Sequence, residues 1–284
     1  MVVVSLTTTK DRLHLLRHAL MSLIEQTYKA DVIVVWVSWE PYLRDRGMQG
    51  LDFQLWAEEW LPFGYSEKVE FRICENTGPY RKLLPSLKGF EKDDLIVTAD
   101  DDIIYGENWL DGLINEYYKV GEGKECVVAT RVRKISYNFL GIRKSYSFWP
   151  IINLRCFCQK DFIINFGGGA VLSPSLFKDS DIEDQAFVDV CPTADDLWYT
   201  AMLKNNGVGV QVIPEVMGEL VFLSHDDGLV NENLIVKEAA GSGFLYRIKI
   251  TILARLGFAV CGNDRAQKRI VEYFKIKSKA GGLG

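Results

Sequence analysis

Three consecutive carboxylates, Asp100-Asp101-Asp102, follow the apolar run Leu95-Ile96-Val97 and precede Ile103-Ile104-Tyr105. A short apolar run bounded by polar clusters reads as a buried strand. Acids at the end of such a strand are costly unless positive charge sits beside them. Along an extended backbone Asp100 and Asp102 would share one side and Asp101 would take the other. Two carboxylates on one side make a hard oxygen site for Mg²⁺ or Mn²⁺, ions used with substrate phosphates. The competing reading is a solvated turn with a helix N-cap.

Other residues could also do chemistry. Asp195-Asp196 open a segment of helical character from about residue 194 to 206. Acids there either complement the helix dipole or act as a pair in which one carboxylate raises the pKa of the other. Gly167-Gly168-Gly169 either lets backbone approach a ligand closely, with N–H groups offered to its oxygens, or makes a tight turn into Ala170-Val171-Leu172. Tyr137, Tyr146, Phe148 and Trp149 serve either as a stacking platform for a ligand or as core. His14 and His18 stand at i, i+4, a spacing that can bind metal, but no carboxylate pattern supports them and they read as structural.

These residues need a scaffold. Val2 to Leu6 reads as a buried strand, followed by the polar turn Thr7 to Arg12 and a helix with Leu13, Leu16, Leu20, Leu23 and Ile24 at helical spacing. A second buried strand lies between Asp31 and Trp39, and a third from Val69 to Cys74. The stretch between them, Glu40 to Glu67, should cover a sheet edge or rim a site. Pro79 to Phe90 reads as helical despite Pro85. Asp93 to Ile104 reads as a fourth strand carrying the acidic triplet, and Asn108 to Val120 as an amphipathic helix. Strands alternating with helices predict an α/β fold, a mostly parallel sheet flanked by helices, with ligands beyond the carboxyl ends of the strands.

Four blocks, in order, then resemble one family: Val4-Ser5-Leu6-Thr7-Thr8; Gly78-Pro79-Tyr80-Arg81-Lys82-Leu83-Leu84-Pro85; Thr98 to Tyr105; and Gly167 to Pro174 joined to Cys191 to Trp198. Over residues 2–230 the chain is similar to family 2 glycosyltransferases of the GT-A (Rossmann-like) fold, closest to bacterial capsule and polysaccharide types. The resemblance implies transfer of a sugar, with inversion, from a nucleotide-sugar (a UDP-sugar by preference) to a glycan or lipid-linked acceptor, with Mn²⁺ or Mg²⁺ as cofactor. It places Asp100 at the ribose or metal, Asp102 at the divalent ion, and Asp101 behind them within the donor-binding group. Lys82 resembles a donor-loop cation, favoured over Arg81. Thr7 and Thr8 lie where the base-binding loop would be, or they cap the next helix. Gly168 and Gly169 fall beside the donor sugar. Asp196 takes the place of the general base and Asp195 that of an acceptor-binding or orienting residue, an order that could be swapped because the family more often has Glu-Asp. His225 could complete the metal site, as a late histidine does in some GT-A enzymes. A sugar-phosphate nucleotidyltransferase is the alternative enzyme, disfavoured because the turn after the first strand has no glycine. A non-catalytic glycan-binding protein on the same fold is the other alternative.

Composition bounds the rest. At 284 residues, 48% hydrophobic and 25% charged, the chain fits a globular protein of one large domain or a domain with an appendage. No signal-peptide pattern opens the sequence, and the six cysteines show only an isolated C-x-C, so a cytoplasmic protein with reduced thiols is expected. The net charge is −5, yet residues 237–284 hold ten Lys/Arg against three acids, which leaves −12 on residues 1–236. The acidic body argues against nucleic acid as a partner. The division expected is 1–236 as the GT-A domain and 237–284 as a basic helical extension. Residues 244–279 either make a peripheral membrane contact, on the inner face of the plasma membrane, or pack on the domain with solvated lysines.

Overall fold

The computed structural model describes residues 1–121, 126–223 and 244–281. Among them an eight-stranded sheet forms the centre. Its first half is parallel: β1 (Val2–Thr7) pairs with β2 (Val32–Val37) on one side and β4 (Leu95–Thr98) on the other, and β3 (Val69–Ile73) pairs with β2. The strand order β3-β2-β1-β4 reverses direction between β1 and β4, so the carboxyl ends of those two strands flank the crevice of a Rossmann-like switch point. Strand β10 (Ala170–Leu172) runs antiparallel between β4 and β6 (Cys126–Ala129). Strand β11 (Gly209–Val212) is parallel to β6, and β8 (Cys156–Cys158) closes the edge. This is the mixed α/β, mostly parallel sheet that the sequence predicts.

Strands buried on both faces read as continuous apolar runs, and the alternation within them divides two cores. Val97, Val128 and Val171 face one core with Val4, Leu6, Leu16 and Leu20, the last two from helix α1 (Leu13–Ile24). Ile96, Val127, Ala129 and Leu172 face the other with Leu197, Trp198 and Leu203 of α7 (Asp195–Asn205). Helix α4 (Trp109–Gly121) covers the first core, and α2 (Phe53–Trp60), which has no counterpart among the sequence-predicted elements, stacks Phe53 on Phe71 of β3.

Two predicted elements differ from what is found. The expected strand over residues 93–104 stops at Thr98; the triplet lies in a turn, and β5 (Ile103–Tyr105) pairs instead with β12 (Leu220–Phe222) in a small separate sheet. The turn gives Asp100 to Lys82 and lets Asp101 and Asp102 share Arg12, in place of the alternation expected along an extended chain. Pro85 does not interrupt a helix from 79 to 90. It lies in the first turn of the short helix α3 (Leu84–Gly89), after a 3-10 turn over Gly78–Lys82, where its missing N–H costs nothing.

The described part of the basic extension, residues 244–281, carries two helices, α8 (Phe244–Leu256) and α9 (Gly262–Gly281). Helix α9 packs on the body: Phe274 and Tyr273 meet Trp198, and Lys277 pairs with Asp181 at 3.1 Å and Asp184 at 2.7 Å. Asp264 accepts from the backbone N–H of Tyr146, Val260 and Cys261 and from the hydroxyl of Ser145, which fixes the α8–α9 connection. Between α5 (Asp179–Ile182) and α7 lies α6 (Phe187–Val190), whose Phe187 stacks on Tyr80. All six thiols are free, and no helix among the described residues is long and apolar enough to cross a membrane.

Candidate functional site

The site gathers where β1, β4 and the start of α7 converge. Lys82 is its centre. Its ammonium lies 3.0 Å from Oδ1 of Asp100 and 3.2 Å from Oδ2 of Asp195, although the residues are far apart in sequence. Burial opposes the Lys82 charge, but the carboxylates of Asp100, Asp195 and Asp196 outweigh it and raise the pKa well above its ordinary value. Lysine is therefore the cation that holds the acidic turn to helix α7. Its neighbour Arg81 faces elsewhere, pairing with buried Asp45 at 2.7 Å. Asp45 is further held by Asn76 and the N–H of Gly47, so this second pair fastens the loop after β2 to the 78–82 turn.

Asp100 is pinned from three sides. Its backbone N–H donates to the Tyr105 hydroxyl at 2.7 Å, and that hydroxyl donates to the Gly167 carbonyl at 2.9 Å. A Cβ on Gly167 would collide with the Asp100 carboxylate, so glycine is what leaves room for that side chain against the 166–168 turn. Asp101 turns inward. Its carboxylate is bound by Arg12 and accepts from the Thr8 hydroxyl at 2.6 Å. Burial pushes the Asp101 pKa up to about 6, against the pull of Arg12. Arg12 also reaches Asp102 at 2.9 Å. Asp100 and Asp102 keep side chains 35% and 25% exposed, so these are the two acids of the triplet open toward solvent.

The acid pair at the start of α7 divides in the same way. Asp195 is buried on Lys82, and burial pushes its pKa up to about 7, against Lys82 and with the repulsion of Asp196 and Asp100. Asp196 is partly exposed and held in place: it accepts from the Phe166 N–H at 3.1 Å and from Asn165 Nδ2 at 2.9 Å. Asn165 also donates to the Tyr146 hydroxyl at 3.2 Å.

The remaining sequence-predicted residues divide further. Thr8 meets the triplet through Asp101, whereas Thr7 donates to the Trp36 carbonyl at 2.8 Å, and neither caps α1. The N–H groups of Gly168 and Gly169 are spent within the 3-10 turn, on Asn165 and Phe166 carbonyls, and so are not offered to a sugar. Gly169 adopts φ +109° against the Trp109 ring, and it is Gly167 that borders Asp100. Trp149 and Tyr146 are core residues, not a platform, while Tyr137 is exposed and bonded to Asp161. His14 and His18 are exposed on α1. His225 lies outside the described residues. Sequence reasoning missed Arg12, Asn165 and Tyr105; the one available signal was that three adjacent acids demand a nearby cation, which pointed at Arg12 as much as at a metal.

No group of three side chains among the described residues forms a ready metal cage. The donor set fits a hard divalent ion of the kind held by one or two carboxylates and completed by substrate phosphates and water. Asp102 and Asp100, the two partly exposed acids of the turn, could hold such an ion.

No protein-family model and no curated protein matches this sequence. Among solved structures, residues 1–349 of TarS from S. aureus align with TM-score 0.43 and 16% identity, over 75% of this chain and 58% of that one. The 4-diphosphocytidyl-2C-methyl-D-erythritol synthase of Anaerococcus prevotii aligns with TM-score 0.44 and 9% identity, over 75% and 86%. The chain thus spans less than two thirds of the TarS fragment, and likenesses this distant bear on neither activity nor substrate.

Proposed function

We propose that this protein is a metal-dependent, inverting glycosyltransferase that uses a nucleotide-sugar, with a UDP-sugar the favoured donor, and a glycan or lipid-linked acceptor. The observation that carries the reading is Lys82, bound at once to Asp100 of the triplet and Asp195 of α7. That contact unites three of the four sequence blocks behind the family resemblance at the switch-point crevice, the ordinary ligand position of such sheets. A sugar-phosphate nucleotidyltransferase remains disfavoured by the absence of glycine from the turn after β1.

In this reading Asp100 and Asp102 would hold Mn²⁺ or Mg²⁺. The ion would supply Lewis-acid stabilisation of the negative charge on the departing nucleotide. Lys82 adds a fixed positive charge beside Asp100. Asp196 is the base: it is exposed enough to meet an acceptor hydroxyl, and Asn165 and the Phe166 N–H set its direction. It takes the hydroxyl proton as the acceptor oxygen attacks the anomeric carbon in line and the bond to the nucleotide breaks. Asp195 is an orienting residue, buried on Lys82. Assay of nucleotide release from UDP-sugars with Mn²⁺ and candidate acceptors tests the proposal. Asp196→Asn should keep donor binding and lose at least about 100-fold in transfer; full transfer in that variant removes Asp196 as the base.

A further inference from the structure

We propose that α8 and the hairpin over residues 137–143 form one surface that docks on an anionic lipid bilayer. A surface helix ordinarily buries one apolar stripe and turns a polar face outward. Helix α8 departs from this. Ala254 faces the body and is buried, and its carbonyl accepts from the Ser145 N–H at 2.9 Å. Yet Ile248, Ile252 and Leu256 stand at i, i+4, i+8, within about 80° of arc on the outward side. All three are exposed, Ile252 by 52%.

The stripe continues off the helix. The hairpin is closed by the Tyr137–Arg143 bridge and by the Asn138 N–H to the Ile142 carbonyl at 2.8 Å. Its tip carries Phe139 and Leu140, 90% and 65% exposed. The two segments touch: a Cβ at Gly257 would fall 2.6 Å from Ile142 Cγ2 and from the Arg143 carbonyl oxygen. Phe258, also exposed, follows at the junction.

Charge selects the occupant. Residues 136–149 and 244–258 together contain Arg143, Lys144, Arg247, Lys249 and Arg255 and no acid, in a chain whose first 236 residues carry −12. Asp161, bonded to the Tyr137 hydroxyl, and Asp264, bonded to Ser145 and the Tyr146 N–H, are acids at the rim, both already engaged. Lys249 and Arg255 flank the apolar stripe on its two sides, and Arg255 lies over the Phe148 ring. An exposed apolar stripe flanked by cations is the pattern of a helix lying in a membrane interface. A second copy of this chain would bring the same five cations against five more, which opposes self-association through this face. A basic face on an otherwise acidic chain would also orient the molecule toward an anionic surface.

The hairpin runs directly into Tyr146, whose hydroxyl accepts from the Asn165 side chain that holds Asp196. The docking face and the acceptor side of the site are thus neighbours, which suits an acceptor carried on a lipid; that point rests on the function proposed above, whereas the docking itself does not.

Co-sedimentation with phosphatidylcholine vesicles, with and without phosphatidylglycerol, tests the surface in the absence of donor and acceptor. The intact protein should bind the anionic vesicles and lose binding as salt rises. Ile248→Ser/Ile252→Ser and, separately, Phe139→Ser/Leu140→Ser should each weaken binding at least tenfold, with near-ultraviolet circular dichroism unchanged. Lys249→Gln/Arg255→Gln should weaken it on the order of fivefold per charge. No binding to anionic vesicles, or binding that neither apolar variant alters, would overturn the proposal. So would a concentration-dependent dimer that the Ile248→Ser/Ile252→Ser variant dissociates.

Discussion

Lys82 and Arg12 neutralise the same acidic turn from opposite sides, in different surroundings. Lys82 is buried and joins groups from two distant elements, Asp100 after β4 and Asp195 at the start of α7. Arg12 stays partly exposed and holds two adjacent aspartates of one turn, Asp101 and Asp102. One cation thus assembles the site while the other shapes the loop within it. Breaking a buried ion pair leaves an uncompensated charge in low dielectric, whereas water can partly replace a partner near the surface.

The comparison is broken most severely at its centre. Lys82→Met should lower unfolding free energy by about 3–5 kcal/mol in urea melts, because Asp100 and Asp195 both lose their counter-charge. Lys82→Met combined with Asp195→Asn should recover part of that loss; an equal loss in both would mean that the lysine acts by packing alone. Arg12→Met should cost less, about 2–3 kcal/mol, since Thr8 still donates to Asp101 and Asp102 reaches solvent. Gly167→Ala should cost about 1–3 kcal/mol by driving a methyl into the Asp100 carboxylate, and should weaken nucleotide binding more than Arg12→Met does.

Titration sharpens the same contrast with a smaller effect. Asp195 and Asp101 are both raised, to about 7 and about 6, from an ordinary value of 3.8. The folded protein therefore holds protons that the unfolded chain has already released, so stability is greatest below about pH 4 as far as these two groups are concerned and declines as pH rises through 6 and 7. Thermal melts across that range should show the decline, and Asp195→Asn should flatten its upper part. A melting temperature that climbs from pH 5 to 7 in the wild type and is unchanged in slope by Asp195→Asn would contradict the assignment.

Much of the scaffold was legible because it is periodic. Val2 to Leu6, Val32 to Val37 and the apolar stripe of α1 announce buried strands and a helix through spacing alone. The break after Thr98 was not legible, because Ile103-Ile104-Tyr105 is equally apolar whether it continues β4 or pairs with β12. Of the candidate site, Asp100, Asp102, Lys82 and the Asp195-Asp196 pair stood out as residue types at fixed places. Their partners did not: Arg12, Asn165 and Tyr105 gain meaning only when distant segments meet, and pairing at long range leaves no local pattern. Tyr146 and Trp149 show the converse, since an aromatic cluster reads the same whether it packs a core, as here, or lines a sugar.

The most direct test of the central claim is calorimetric titration of UDP, GDP, CDP and TDP into the wild type and Asp102→Asn, each with Mn²⁺ and with EDTA. The account predicts that one nucleotide, UDP by preference, binds the wild type only with metal, and that Asp102→Asn abolishes that binding. Binding that survives EDTA, or that Asp102→Asn leaves intact, would contradict it, as would failure of all four to bind.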